Sequence, residues 1–412
     1  MPGIRFPAAA EDFETYLRLA EQGVGGFCVF GSVPDLRERI AALQAVAPYP
    51  LLIASDLEAG AGQQIAWLTQ HPPAASLDPE AAEAAGLRTA LEARTVGITM
   101  TFAPVCDVVS EARNPIIQGR AFKDPAASAP RFVAGARRLG LRTCAKHFPG
   151  HGATIEDSHN ALPYVDAPAE TWHARDLPPF RRCIEAGVDA VMTAHIACPG
   201  LTGSETMPAT LSRAVMTDLL RGELGFEGLV VTDALLMDGV LQGRTEVEAA
   251  REAIAAGCDV LCCPDDVAGI AAWLVETDAP DSVARVAAAA VPLPDPLAEA
   301  AAHAVVSEGA LPVGPGAHPV VIHDLDGVHE KSLRAAFPRT AGVPTVVVAR
   351  SDRAWGGALE LTPAVRADAA AAGLLVLFGP PVLREGLAPE RLVHAPGLDA
   401  FTLAAAARRA FG

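Results

Sequence analysis

Three histidines, a lysine and an aspartate share one fourteen-residue stretch, Lys146-His147-Phe148-Pro149-Gly150-His151-Gly152-Ala153-Thr154-Ile155-Glu156-Asp157-Ser158-His159. Asp157 and His159 are two apart, near enough for a carboxylate to orient an imidazole for proton transfer. Glycines on both sides of His151 permit a tightly folded loop. A single histidine there would be a solvated side chain; this density of proton-handling groups points to acid–base chemistry. Further ionisable residues follow short apolar runs: Asp56 and Glu58 after 51–54, Asp107 after 98–102, His195 after 190–194, Asp233 after 229–232.

Those runs are the elements that must hold the chemistry. Apolar, β-branched stretches recur at 27–30, 51–54, 98–102, 142–146, 190–194, 229–232 and 260–263, with a weaker one at 4–6. Between them, 81–95, 129–140, 177–187, 213–224 and 246–257 repeat apolar residues every three or four positions, as one-sided helices do. Continuous strands alternating with helices predict a parallel sheet covered on both faces. Seven or eight such units predict an α/β fold of the (β/α)8 TIM-type barrel, in which loops after the strands carry the active site. No glycine fingerprint follows the run at 27–30, which disfavours an open dinucleotide-binding sheet.

Around 291–319 proline and glycine accumulate, and three more strand-like runs follow at 320–323, 345–349 and 374–378. The expected layout is a catalytic barrel over 1–290, a linker over 291–318 with a helix at 297–308, and a second, smaller α/β domain over 319–412.

Composition narrows the partners. The 412 residues are 50% hydrophobic and 20% charged, a globular balance, with a formal net charge of −17. Such a surface repels phosphate backbones, and no basic run offsets it, so nucleic acid is not an expected partner. The first residues lack a basic start followed by an apolar core, and no apolar run reaches the ~20 residues of a membrane helix. The expectation is a cytoplasmic protein without membrane contact. Eight cysteines (Cys28, Cys106, Cys144, Cys183, Cys198, Cys258, Cys262 and Cys263) form no CxxC pair and sit mostly in apolar runs. Buried, reduced thiols fit better than disulfides or zinc.

The stretch from Lys146 to Gly152 followed by Asp157-Ser158-His159 resembles the KHFPGHG…DSH signature of glycoside hydrolase family 3, in its β-N-acetylglucosaminidase (NagZ-like) branch. Gly228-Leu229-Val230-Val231-Thr232-Asp233 is similar to the family's nucleophile segment. The segments 102–107, 119–122 and 192–195 resemble further family blocks in the family's order. The resemblance implies a retaining exo-glycosidase that removes non-reducing terminal β-linked N-acetylglucosamine from cell-wall-derived amino sugars or muropeptide fragments. It implies no metal and no cofactor. Asp233 corresponds to the nucleophile, and His159, held by Asp157, to the general acid/base in place of a second carboxylate. Asp56, Arg120, Lys146 and His147 match positions that hydrogen-bond sugar hydroxyls. His195 and Met237, the latter as an apolar wall, complete the expected substrate-binding set, with His195 and Asp107 alternatively supporting the site from behind.

Departures from the family pattern fall on the sugar-binding rim. The usual D-x-E-G-G-R-V reads Asp56-Leu57-Glu58-Ala59-Gly60-Ala61-Gly62 here and lacks the arginine. The block around Arg120 is one residue short, and the carboxylate that commonly follows the nucleophile is Ala234. Arg120 and Asp56 could instead join in an ion pair across the barrel mouth. A β-glucosidase, a glycoside phosphorylase and a non-catalytic sugar-binding barrel remain alternatives on the same scaffold. So does a metallohydrolase using His147, His151, His159, Asp157 and Asp233, although Lys146 would oppose a cation there.

Overall fold

In this computed structural model the described residues are 1–7, 9–277 and 279–290, together with the backbone of five strands beyond residue 305. Eight parallel strands follow one another in chain order: β1 (Gly3–Arg5), β2 (Gly26–Phe30), β3 (Leu52–Ser55), β4 (Met100–Thr101), β5 (Arg142–Phe148), β6 (Ala190–Thr193), β7 (Leu229–Ala234) and β8 (Val260–Cys262). The Met1 amine donates to the Leu261 carbonyl at 2.9 Å, and the Cys263 N–H donates to the Met1 carbonyl at 2.9 Å. These bonds draw the end of β8 to the start of the chain and nearly close a TIM-like barrel.

Every expected run coincides with a strand, because strands buried on both faces read as unbroken apolar segments. The weak run at 4–6 overlaps β1. The fifth strand continues to Phe148 and so carries His147 as well as Lys146. Alternate residues fill the barrel, among them Cys28, Leu52, Ala54, Met100, Cys144, Met192 and Val231. The residues between them pack outward on the helices, Val29 and Ile53 on one side of the ring and Val191 and Val230 on the other.

Local chemistry starts the helices. Asp78 accepts from the Ala81 N–H with Pro79 in the first turn, and Asp124 repeats the device for Pro125–Arg137. Thr245 and Glu248 form a reciprocal capping box at the head of Glu246–Ala256. The helices Pro79–Thr95 and Pro125–Arg137 touch through bare backbone. A Cβ added to Gly86 would meet the Phe132 carbonyl oxygen at 2.2 Å, and one on Gly135 the Glu83 oxygen at 2.0 Å.

Beyond residue 305, β9 (Val306–Glu308), β10 (Val320–Asp324), β11 (Thr345–Ala349), β12 (Leu374–Phe378) and β13 (Leu392–Ala395) form one sheet in the order β10-β11-β12-β13-β9. The first four of that order are parallel and β9 is antiparallel to β13. Chain contacts separate Met1–Leu293 from Pro294–Gly412. The helix expected over 297–308 gives way to β9 at its end; 297–305 lies outside the described residues. Among the described residues, no helix is long and apolar enough to cross a membrane.

Candidate active site

The carboxyl ends of the strands gather the chemistry into one pocket. Lys146, near the end of β5, is buried, with 2% of its side chain exposed. Its Nζ lies 2.6 Å from Asp56 Oδ1 and 2.6 Å from Glu58 Oε1, both on the loop after β3. Desolvation works against its charge, but the two carboxylates outweigh it and hold the ammonium above its ordinary pKa. Arg120 reaches Glu58 from the far side and makes two N–H···O bonds of 2.8 Å. Burial would push Glu58 up; the adjacent Lys146 and Arg120 reverse this and hold it well below the usual carboxylate range. An ion pair does span the barrel mouth, then, but Arg120 takes Glu58 and Asp56 takes Lys146.

His147 is fixed from behind. Its Nδ1 lies 2.7 Å from Asp107 Oδ2, and its backbone N–H also points at that carboxylate. Asp107 is fully buried and accepts a third bond from the His151 N–H at 2.6 Å. Donation from Nδ1 leaves Nε2 as the acceptor, and Arg120 Nη2 stands 3.3 Å from it. His151 is structural: its ring nitrogens meet Thr154 Oγ1 at 2.8 Å and Ser158 Oγ at 3.0 Å. Burial lowers it to about 4, so it is neutral near pH 7.

Asp233 stands near the end of β7. Burial raises its pKa, but His147, His195, the Ala234 N–H and Lys146 more than compensate and keep it below the ordinary value. The Ala234 N–H donates to Asp233 Oδ1 at 2.8 Å and fixes the carboxylate. His195 is wholly buried, with Nδ1 on Thr210 Oγ1 at 2.8 Å and Nε2 on the Ala234 carbonyl at 3.1 Å. Both its nitrogens are thus occupied by protein, and it braces the end of β7 rather than walling the pocket. Met237, in the turn after β7, is likewise buried and outside the pocket lining.

Asp157 Oδ1 accepts from the His159 backbone N–H at 2.9 Å and lies 2.6 Å from its Nδ1. The His159 ring is 61% exposed, which leaves Nε2 open. The pocket, about 130 Å³, is lined by Asp56, Arg120, Lys146, His147, His159 and Asp233, with Phe30, Phe102, Ile116 and Met192 as apolar walls. A larger cavity of about 530 Å³ lies at the opposite ends of β5, β6 and β7, near Arg142, Asp189 and Leu229, away from these groups. In a barrel that face serves stability, so the smaller pocket is the candidate site.

Two features escaped the sequence reading. Glu58 is the hub joining Lys146 to Arg120; its place beside Asp56 was the available signal. Cys28, Cys262 and Cys263 also line the pocket, whereas apolar neighbours had suggested inert thiols. Among the described residues, the His and Asp set of the metallohydrolase alternative brings no three ligand atoms together; these three cysteines do.

A parallel eight-stranded barrel with acids, a buried lysine and an Asp–His pair at its carboxyl end belongs to the (β/α)8 class of enzymes. The chain is a member of glycosyl hydrolase family 3, whose N-terminal domain model matches residues 13–289. It is 36% identical over 290 residues to a beta-hexosaminidase of Chromobacterium violaceum, covering 65% of this chain and 80% of that one. Among solved structures it is similar to a family 3 β-N-acetylglucosaminidase from Paenibacillus sp. (25% identity, TM-score 0.64, 99% of this chain and 94% of that one). A β-N-acetylhexosaminidase from Beutenbergia cavernae is 30% identical, with a TM-score of 0.60, over 70% of this chain and 93% of its own.

Proposed function

We propose that the chain is a retaining β-N-acetylhexosaminidase that removes terminal β-linked N-acetylglucosamine, with Asp233 as nucleophile and His159 as acid/base. The observation that carries this is one pocket lined by both Asp233, fixed by the Ala234 N–H, and a His159 whose Nδ1 is held by Asp157 at 2.6 Å. Asp233 attacks the anomeric carbon while protonated His159 gives its Nε2 proton to the departing oxygen, leaving a glycosyl ester and a free alcohol. Neutral His159 then takes a proton from water, whose oxygen attacks the same carbon and releases Asp233 as carboxylate. Lys146, Asp56, Arg120 and His147 offer directed donors and an acceptor to the sugar hydroxyls.

The same reading assigns residues 1–290 to catalysis, 291–318 to a linker and 319–412 to a small α/β domain. It places the enzyme in the cytoplasm, acting on amino sugars released from cell wall. The test is hydrolysis of a chromogenic N-acetyl-β-glucosaminide beside the plain β-glucoside, by wild type and Asp233→Ala. Preferential cleavage of the acetamido sugar, lost in the variant, is expected. Cleavage of neither sugar, with or without added phosphate, would overturn the reading.

A further inference from the structure

The pocket carries three thiols that glycoside hydrolysis does not use. Cys28 lies within β2 and Cys262 ends β8, and both belong to the packed barrel interior, so they form the inner end of the pocket. Adjacent residues of an extended strand point to opposite faces, and Cys263 should therefore turn away from Cys262. It does not. Cys263 takes a φ of 45°, in the left-handed region that non-glycine residues rarely enter, and its sulfur comes 3.6 Å from that of Cys262. The Cys28 sulfur joins them, and all three lie within 4.8 Å of one another. Strain held inside a packed interior is a mark of function.

The spacing suits a metal. Zinc bonded to thiolates at about 2.3 Å sets its sulfurs roughly 3.8 Å apart, so closing this trio takes at most about 1 Å of movement. Asp233 lines the same pocket and contributes negative charge. The Met1 amine lies close by and is tied to the Leu261 carbonyl at 2.9 Å. We propose that Cys28, Cys262 and Cys263 form a three-thiolate site for a thiophilic d10 cation, of the Zn(II) and Cd(II) class, and that its occupancy stops hydrolysis. Each ligating thiol releases its proton to solvent as the metal–sulfur bond forms. The fourth coordination position opens toward the pocket, where the cation opposes free use of Asp233 as nucleophile.

The experiment titrates the reduced full-length protein with Cd(II), reading the thiolate-to-cadmium charge-transfer absorbance without substrate. Wild type should bind one equivalent. Cys28→Ala and Cys263→Gly should lose the band, the glycine suiting the left-handed backbone so that the fold survives. Cys183→Ala is the control: its sulfur pairs with Cys106 at 3.6 Å elsewhere in the fold, and the band should remain. No band in wild type, or an undiminished one in Cys263→Gly, overturns the site. The inhibitory half rests on the proposed hydrolase and is read separately. Stoichiometric Zn(II) should cut wild-type turnover at least tenfold, reversibly with chelator, and leave the rate of Cys263→Gly unmoved. Cadmium binding without any such loss overturns that half alone, and the binding titration stands even if the sugar assignment fails.

Discussion

Arg120 grips Glu58 through two parallel bonds of 2.8 Å, Nε to Oε2 and Nη2 to Oε1. Such a fork fixes a carboxylate in plane as well as in place. Glu58 in turn touches Lys146 at 2.6 Å, so one carboxylate aligns both cations at the barrel mouth. The arginine missing after Glu58 is thus balanced from the loop that follows β4.

Breaking that hub should be expensive. Glu58→Ala leaves buried Lys146 with Asp56 alone and strips Arg120 of its carboxylate, and a destabilisation of about 3 kcal/mol is expected, at the low end of the range for breaking a buried ion pair. Urea unfolding at pH 7 measures it. An effect below about 1 kcal/mol would show that the rim tolerates the loss.

Acid should act through the same groups. Glu58, Asp107 and Asp233 all have folded-state pKa values below their ordinary ones. Their contribution is complete above the unfolded carboxylate value near 4 and is lost as pH falls below it. Stability measured from pH 4 down to pH 2 should fall, and fall less steeply in Glu58→Gln.

Asp176 should show the opposite sign. Burial raises its carboxyl to about 6 despite Arg175, and its Oδ1 has no hydrogen-bond partner. It packs against Gly150, where the φ is 138° and an added Cβ would lie 2.9 Å from the Asp176 Cβ. The protonated form favours folding, so stability from this group is present below the unfolded value near 4 and declines as pH rises to about 6. About 3 kcal/mol is at stake. Asp176→Asn should flatten the stability profile between pH 4 and 6; an unchanged profile would contradict this.

Asp233→Gly should lose at least about 10³-fold in kcat while folding normally. Azide entering the vacated space would yield the α-glycosyl azide. Recovery of the β-anomer instead would exclude Asp233 as the nucleophile.

Removing the proposed acid/base has a different signature. His159→Ala should cost about 10²–10⁴-fold with a sugar leaving group, and far less with an activated aryl one that departs without a proton. Equal losses for both would assign His159 a structural role. Asp157→Ala should follow the same pattern with smaller losses, because it orients the ring rather than transferring the proton.

Much of this was legible in the sequence, for physical reasons. The barrel strands are buried on both faces and so appear as unbroken apolar runs, and the loop from Lys146 to His159 contains the Asp157–His159 pair within hydrogen-bonding distance along the chain. What failed was long-range or conformational. Glu58 meets Arg120 across 62 positions, and no local pattern announces the partner. His195 follows its strand like the other site residues, yet Thr210 and the Ala234 carbonyl draw both its nitrogens inward. Val306–Glu308 ends an alanine-rich stretch with helical spacing, and pairing with β13 makes it a strand instead. Cys263 looked like one more apolar thiol, because backbone handedness leaves no trace in residue type.

The bare contact at Gly86 and Gly135 bears on how the ring is fastened. Outside the strands, the packing falls into two arcs, one around Val29 and Ile53, the other around Val191 and Val230. Their seam runs past β4, which has only two residues. There the weakest stave of the cask is hooped from outside by two helices pressed too close to admit a methyl group. Widening that hoop by one alanine would part the arcs between the loop that bears Glu58 and the strand that bears Lys146, and loosen the proposed sugar rim without touching a single residue in it.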